Sequence, residues 1–208
     1  MRTLLSGYNK TTQELMFRVY AAEIPENGKR QNHSAAHFAA LDLLGAALAA
    51  DFGIQHAVIR RVGLGKPELI HDFLHMNLSH CKGLAVAAVG RMPLGVDAEG
   101  KRAVKDALMQ KVCAPEEIAQ IQAAHDKNLA FTKFWTLKEA YAKYTGEGIR
   151  LDFSALRFEI GAEEIRFHHP DAAQVRFAQL TDRSGCIVSL CCPQGDDINI
   201  AYNSEFFA

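Results

Sequence analysis

The chain has 208 residues, 49% of them hydrophobic and 23% charged, which is enough apolar side chain to bury a substantial core in one large domain or two small ones. Its 23 Lys and Arg against 24 Asp and Glu leave a formal net charge of -1, so no global field argues for nucleic acid or a membrane surface, and a charged partner must meet a local patch. The five cysteines, Cys81, Cys113, Cys186, Cys191 and Cys192, are odd in number and lack C-x-x-C spacing; they read as reduced, mostly core thiols of a cytoplasmic protein. The first residues, MRTLLSGYNKTTQEL, hold no apolar run long enough for a signal peptide, and FAALDLLGAALAA is short for a membrane span and interrupted by Asp42, so a soluble, membrane-free protein is expected.

In chain order, ELMFRVYAA alternates as a strand, and HSAAHFAALDLLGAALAADFG follows as an Ala- and Leu-rich helix, with Ser34 as expected cap and Gly53 as expected stop. Short strand-like runs come next, HAVIRRV, PELI, HMNLSH, GLAVAAVG and LGVDAE, separated by Gly, Pro or polar residues. From Lys101 the pattern turns helical: KRAVKDALMQKV, then APEEIAQIQAAHD with Pro115 in a first turn, then FTKFWTLKEAYAKYTGEG ending at Gly146. Strands return as ALRFEI, EIRFHH, QVRFAQL, CIVSLCC and INIAYN. Each half thus reads as a long helix followed by antiparallel strands. The expected fold is α+β, a pseudo-dimer of two similar lobes, residues 1–100 and 101–208, with no linker and a site between them.

Three constellations carry polar chemistry. In LGVDAEG, side chains two apart on a strand share a face, so Asp97 and Glu99 project together. Such a pair is either a solvated strand end or a site for a hard divalent cation that relieves the repulsion. On the helix beginning near Phe131, the apolar arc contains Lys138, with Glu139 at its edge and Lys143 on the same side as Glu139. A surface pair accounts for Glu139 and Lys143, but a buried ammonium at Lys138 requires a carboxylate or phosphate partner. Third, Lys66 precedes a stiffening Pro67, and Ser79 and His80 end a strand where a hydroxyl and an imidazole can meet phosphate oxygens. The GLGKP string lacks the spacing of a nucleotide-triphosphate loop.

Taken in order, GKPEL, NLSH, GVDAE and FWTLKEAYAKYTGEGI resemble the motifs of the 4′-phosphopantetheinyl transferases, particularly the larger single-chain (surfactin-synthetase-activating, Sfp-like) type. The resemblance implies an enzyme that moves the phosphopantetheine arm of coenzyme A onto a serine of an apo acyl or peptidyl carrier protein, releasing adenosine 3′,5′-bisphosphate. It further implies that Asp97, Glu99 and Glu139 hold Mg²⁺ or Mn²⁺, that Glu139 accepts the serine proton, and that Lys143 stabilises the leaving phosphate. Lys66, Ser79 and His80 match positions that grip coenzyme A, and Lys29 and Arg30 fall where the family places basic residues near the 3′-phosphate. Lys138 is expected to pair with one of the clustered acids or with a coenzyme A phosphate. The family often carries an arginine after the histidine of the first helix; here Phe38 follows His37. The basic run Lys101, Arg102, Lys105 and Lys111 reads either as a helix face that steers an acidic carrier or as a solvated surface. A monomer is expected. The competing readings are a metal-dependent phosphodiester hydrolase of coenzyme A and an inactive coenzyme A-binding relative.

Overall fold

Residues Leu15–Glu23 form a strand whose two faces are both covered. Phe17, Val19 and Ala21 point into one apolar cluster, and Tyr20 into another. This sets the architecture, seen in a computed structural model that describes residues 1–24, 33–61, 65–71, 73–195 and 197–203. The strands are β1 (Arg2–Asn9), β2 (Leu15–Glu23), β3 (Ile59–Arg60), β4 (Glu68–Leu69), β5 (His75–Cys81), β6 (Leu84–Gly90), β7 (Gly95–Glu99), β8 (Arg157–Ile160), β9 (Ile165–His168), β10 (Val175–Thr181), β11 (Ile187–Pro193) and β12 (Ile198–Tyr202). Four α-helices lie among the described residues: α1 (His33–Phe52), α2 (Asp106–Val112), α3 (Pro115–Ala123) and α4 (Lys127–Thr145).

A five-stranded antiparallel sheet, ordered β12-β1-β2-β6-β5, packs face to face on a three-stranded one, ordered β10-β11-β7. Leu5, Phe17, Val86, Leu94, Val96, Val188 and Leu190 fill the space between them. On the outer face of the larger sheet, α1 buries Ala40, Leu43, Leu44, Ala47 and Leu48 against β2, β5 and β6. On the outer face of the smaller sheet, α4 buries Phe131, Phe134, Leu137 and Tyr141 against β7, β11 and β10. The layers therefore run helix, sheet, sheet, helix. This explains β6, LAVAAVG, in which every residue is buried and no polar alternation survives. The sheets cross the boundary expected at Gly100: β7 joins the sheet of the C-terminal half, opposite β11, and β12 joins that of the N-terminal half, opposite β1.

Several local expectations change. Strand β1 was not legible, because Leu4 and Leu5 are adjacent and both buried across a register irregularity between Thr3 and Leu5, which breaks the alternation. Only Ile59 and Arg60 of HAVIRRV pair as a strand among the described residues. Helix α1 starts at His33, so Ser34 sits in its first turn and not at its cap, while Gly53 ends it with φ of +68°. At 20 residues, α1 is long and apolar enough to cross a bilayer by length and composition alone, so shortness does not exclude a span; its buried stripe against the sheet is the packing of a core helix. The helix expected from Lys101 begins only at Asp106. Before it, the amides of Arg102 and Val104 donate to Thr132 Oγ1 at 2.9 Å and Asn128 Oδ1 at 3.2 Å on α4, which keeps residues 101–105 extended. Lys101, Arg102 and Lys105 consequently do not share a helix face with Lys111.

Candidate active site

The site begins with a glycine. A Cβ at Gly95 would overlap the Ala140 carbonyl and the Tyr144 amide, so only glycine lets β7 lie directly on the last turns of α4. That approach brings the Asp97-Glu99 edge of β7 to the Glu139-Lys143 face of α4. On its other side, β7 is held by β5: Asn77 Oδ1 accepts from the Val96 amide at 2.9 Å, and Ser79 Oγ accepts from the Ala98 amide at 3.0 Å.

Ser79 is the centre of a closed set of hydrogen bonds. Its hydroxyl donates to Asp97 Oδ1 at 2.9 Å and accepts from the Lys143 ammonium at 3.0 Å, in addition to the Ala98 amide at 3.0 Å. One donor and two acceptor positions are all the hydroxyl has. Ser79 therefore positions Asp97 and Lys143, and its expected role as a direct phosphate contact is not available in this arrangement. Lys143 is similarly occupied, donating to Asp97 Oδ1 at 2.7 Å, Ser79 Oγ at 3.0 Å and the Val96 carbonyl at 3.1 Å, with its side chain 28% exposed.

The three acids feel one another. Burial pushes the Glu139 carboxyl up to about 7, the Asp97 charge pushes the same way, and Lys143 opposes. Glu99 is raised for the same reasons, burial first and Asp97 second, with Arg102 opposing from 3.8 Å. Asp97 Oδ2 is buried with no hydrogen-bond partner. An orphaned carboxylate oxygen beside two acids that resist ionisation is the donor chemistry of a hard, oxygen-ligated cation. Among the described residues, however, no three His, Cys, Asp or Glu side chains stand close enough to enclose a metal as they are. The donor set fits such an ion in chemistry.

Beside this network lies a cleft of about 450 Å³, lined by His37, Arg61, Lys66, Ser79, His80, Asp97 and Lys143 together with the glycines at 65, 146 and 148. Lys66 donates to the Leu94 carbonyl at 2.7 Å, and burial lowers its ammonium to about 8. The His37 and His80 rings stand 6.2 Å apart, edge to face, while Phe38 is 62% exposed. Sequence reasoning placed Arg61 in a strand and missed it as a cleft cation; its position beside the Gly65-Lys66 turn was the available signal. Lys29 and Arg30 lie outside the described residues.

Lys138 is a correction. It is fully buried and far in chemistry from any ligand, for its three N–H positions go to Glu117 Oε2 at 2.7 Å, the Phe153 carbonyl at 2.7 Å and the Leu156 carbonyl at 2.5 Å. Burial lowers its pKa and the Glu117 charge opposes. Glu117, also fully buried, accepts in addition from the amides of Ala114 and Phe158 at 2.8 Å each. The pair joins α3, α4, the 153–156 turn and β8, and leaves nothing over for a coenzyme A phosphate.

The chain is similar in sequence to several known proteins. Residues 93–199 match the family model of the 4′-phosphopantetheinyl transferase superfamily. Among curated relatives, the 4′-phosphopantetheinyl transferase psf-1 of Bacillus pumilus is 31% identical over 126 residues, covering 57% of this chain and 54% of that protein. The 4′-phosphopantetheinyl transferase HetI of a Nostoc species is 38% identical over 94 residues, covering 41% and 40%. The chain spans about half the length of the curated relatives it matches. Among solved structures, the holo-[acyl-carrier-protein] synthase of Neisseria meningitidis aligns with a TM-score of 0.43 and 19% identity, over 50% of this chain and 98% of that one. With just over half of its residues inside the family match, and the Asp97, Glu99, Glu139 and Lys143 cluster within that match, the chain belongs to the 4′-phosphopantetheinyl transferase superfamily.

Proposed function

We propose that this protein transfers the 4′-phosphopantetheine group of coenzyme A to a serine hydroxyl of an apo acyl or peptidyl carrier protein. The observation that carries the reading is the Asp97-Ser79-Lys143 network, set beside Glu99 and Glu139 and next to a cleft lined by basic side chains. In this scheme Arg61, Lys66, His37 and His80 receive the phosphates of the nucleotide end, with Lys66 charged below a pH of about 8. Glu139 takes the proton from the incoming serine as its oxygen attacks phosphorus. Lys143, its three N–H positions engaged by Asp97, Ser79 and the Val96 carbonyl, acts through its charge on the negative charge that grows on the departing adenosine 3′,5′-bisphosphate as the bridging P–O bond breaks. A Mg²⁺ ion held by Asp97, Glu99 and Glu139 would neutralise the pyrophosphate when bound.

We further read α1 on its sheet and α4 on its sheet as the two lobes of a pseudo-dimer, acting as a cytoplasmic monomer. A stable trimer in sedimentation at micromolar concentration would refute the monomer. The deciding experiment incubates the protein with coenzyme A, Mg²⁺ and a panel of apo carrier proteins, and weighs the carriers. Transfer adds the phosphopantetheine mass to the carrier and releases adenosine 3′,5′-bisphosphate in equal amount. Nucleotide release without a heavier carrier would replace this reading with a hydrolase, and neither event would replace it with a binding protein.

A further inference from the structure

Beside Glu99, two thiols from the two halves of the chain face each other. Cys81 Sγ donates to Cys186 Sγ at 3.2 Å. Cys81 closes β5 just before the tight turn at Lys82-Gly83, where Gly83 has φ of +85°; Cys186 follows the turn at Ser184-Gly185, where Gly185 has φ of +81°. Two hairpin ends, one from each sheet, thus meet sulfur to sulfur. Both cysteines line a second cleft, of about 720 Å³, with Glu99, Arg102 and Thr181, so a small reagent can approach although the residues themselves are 9% and 4% exposed. The shared hydrogen bond draws Cys186 below the ordinary thiol range and pushes Cys81 above it, while burial pushes Cys113, Cys191 and Cys192 above it. Neither thiol has a place in the transfer chemistry.

We propose that Cys81 and Cys186 are a dithiol site that hydrogen peroxide closes reversibly to a disulfide, cross-linking the β5 end of one sheet to the β11 start of the other beside Glu99. In the first step the Cys186 sulfur attacks the peroxide. An S–O bond forms, the O–O bond breaks, and the departing hydroxide leaves as water with the Cys186 proton. In the second step the Cys81 sulfur attacks the sulfenic sulfur of Cys186, the S–S bond forms, the S–O bond breaks, and the hydroxyl leaves as water with the Cys81 proton. Two thiols lose two electrons and two protons, and one peroxide becomes two waters. The bridge would clamp the flanks of β7, because Cys81 lies two residues beyond Ser79, which holds Asp97, and Cys186 adjoins Ile187, which stands opposite Glu99.

The test oxidises the folded, wild-type protein with hydrogen peroxide, alkylates the remaining thiols after unfolding, and maps the peptides by mass spectrometry. A peptide pair joined through Cys81 and Cys186, lighter by two hydrogens, with Cys113, Cys191 and Cys192 still alkylated and the joint reversed by dithiothreitol, is the expected result. Cys81→Ser should remove the joint and leave Cys186 to accumulate as sulfenic acid. Oxidation of Cys186 to sulfinic acid in the wild type without any joint would overturn the proposal, as would a joint found only between two copies of the chain.

Discussion

Helix α4 carries two lysines five residues apart, each 2.7 Å from a carboxylate, and the two regions around them behave differently. At Lys138 both partners are fully buried and every polar position is filled by a backbone carbonyl, a backbone amide or the partner itself. At Lys143 the side chain is partly exposed, Asp97 keeps one buried oxygen without a partner, and two more acids crowd the pair. A saturated ion pair ties elements together; an unsaturated one among like charges is built to receive something. Salt-bridge length does not distinguish them, whereas the accounting of remaining donors and acceptors does.

The sharpest way to break this contrast is Asp97→Asn, which keeps the volume and the acceptor for Ser79 but removes the charge. Transfer should fall on the order of a thousandfold, as when a stabilising group is lost at a reacting phosphoryl centre, while the thermal midpoint holds. Near-normal turnover in the carrier-mass assay would sink the assignment of Asp97.

Lys138→Met should show the opposite pattern. It strands Glu117 as an uncompensated buried charge and is expected to cost about 3–5 kcal/mol of stability by chemical denaturation, with the KM for coenzyme A unchanged in the protein that remains folded. Adding Glu117→Gln to that variant should restore at least half of the loss, because no buried charge is then left unpaired. A raised KM in the single variant would return Lys138 to the ligand site.

The smallest expected effect is on pH. The folded protein holds the Glu139 proton up to about 7, above the ordinary carboxylate value of 4.5, so between those limits the folded state binds more protons than the unfolded one and stability falls as pH rises. Without a bound metal the contribution is complete below pH 4.5 and lost above 7, on the order of 3 kcal/mol. Millimolar Mg²⁺ should raise the melting temperature at pH 8 and do little at pH 5, since binding needs the ionised acids. Equal Mg²⁺ shifts at both pH values would disconnect the acid cluster from the metal.

What the sequence made legible follows the same division. The acids of β7 and the Glu139-Lys143 face of α4 could be read because period two and period 3.6 place them without knowledge of the rest of the fold. The need for a partner at Lys138 was legible too, but its identity was not: Glu117 lies on another helix, and only the packing of α3 on α4 brings it there. The same reason hid the late start of α2, since Thr132 and Asn128 capture amides that local propensity assigns to a helix. Strand β12 was legible as an element, yet its partner could not be, because register between distant strands is a property of the assembled sheet.

That last pairing has a consequence for how the molecule is made. Strand β1 precedes every other strand in the chain order and β12 follows them, and the two are hydrogen-bonded neighbours. Until β12 has been made, the β1 edge stays open beside an otherwise formed β1-β2 hairpin, offering unpaired amides and carbonyls to any passing strand. Strand β12 therefore acts as a closing seam. Slow or truncated synthesis exposes that edge for longer, and aggregation during expression is then a matter of timing more than of native stability.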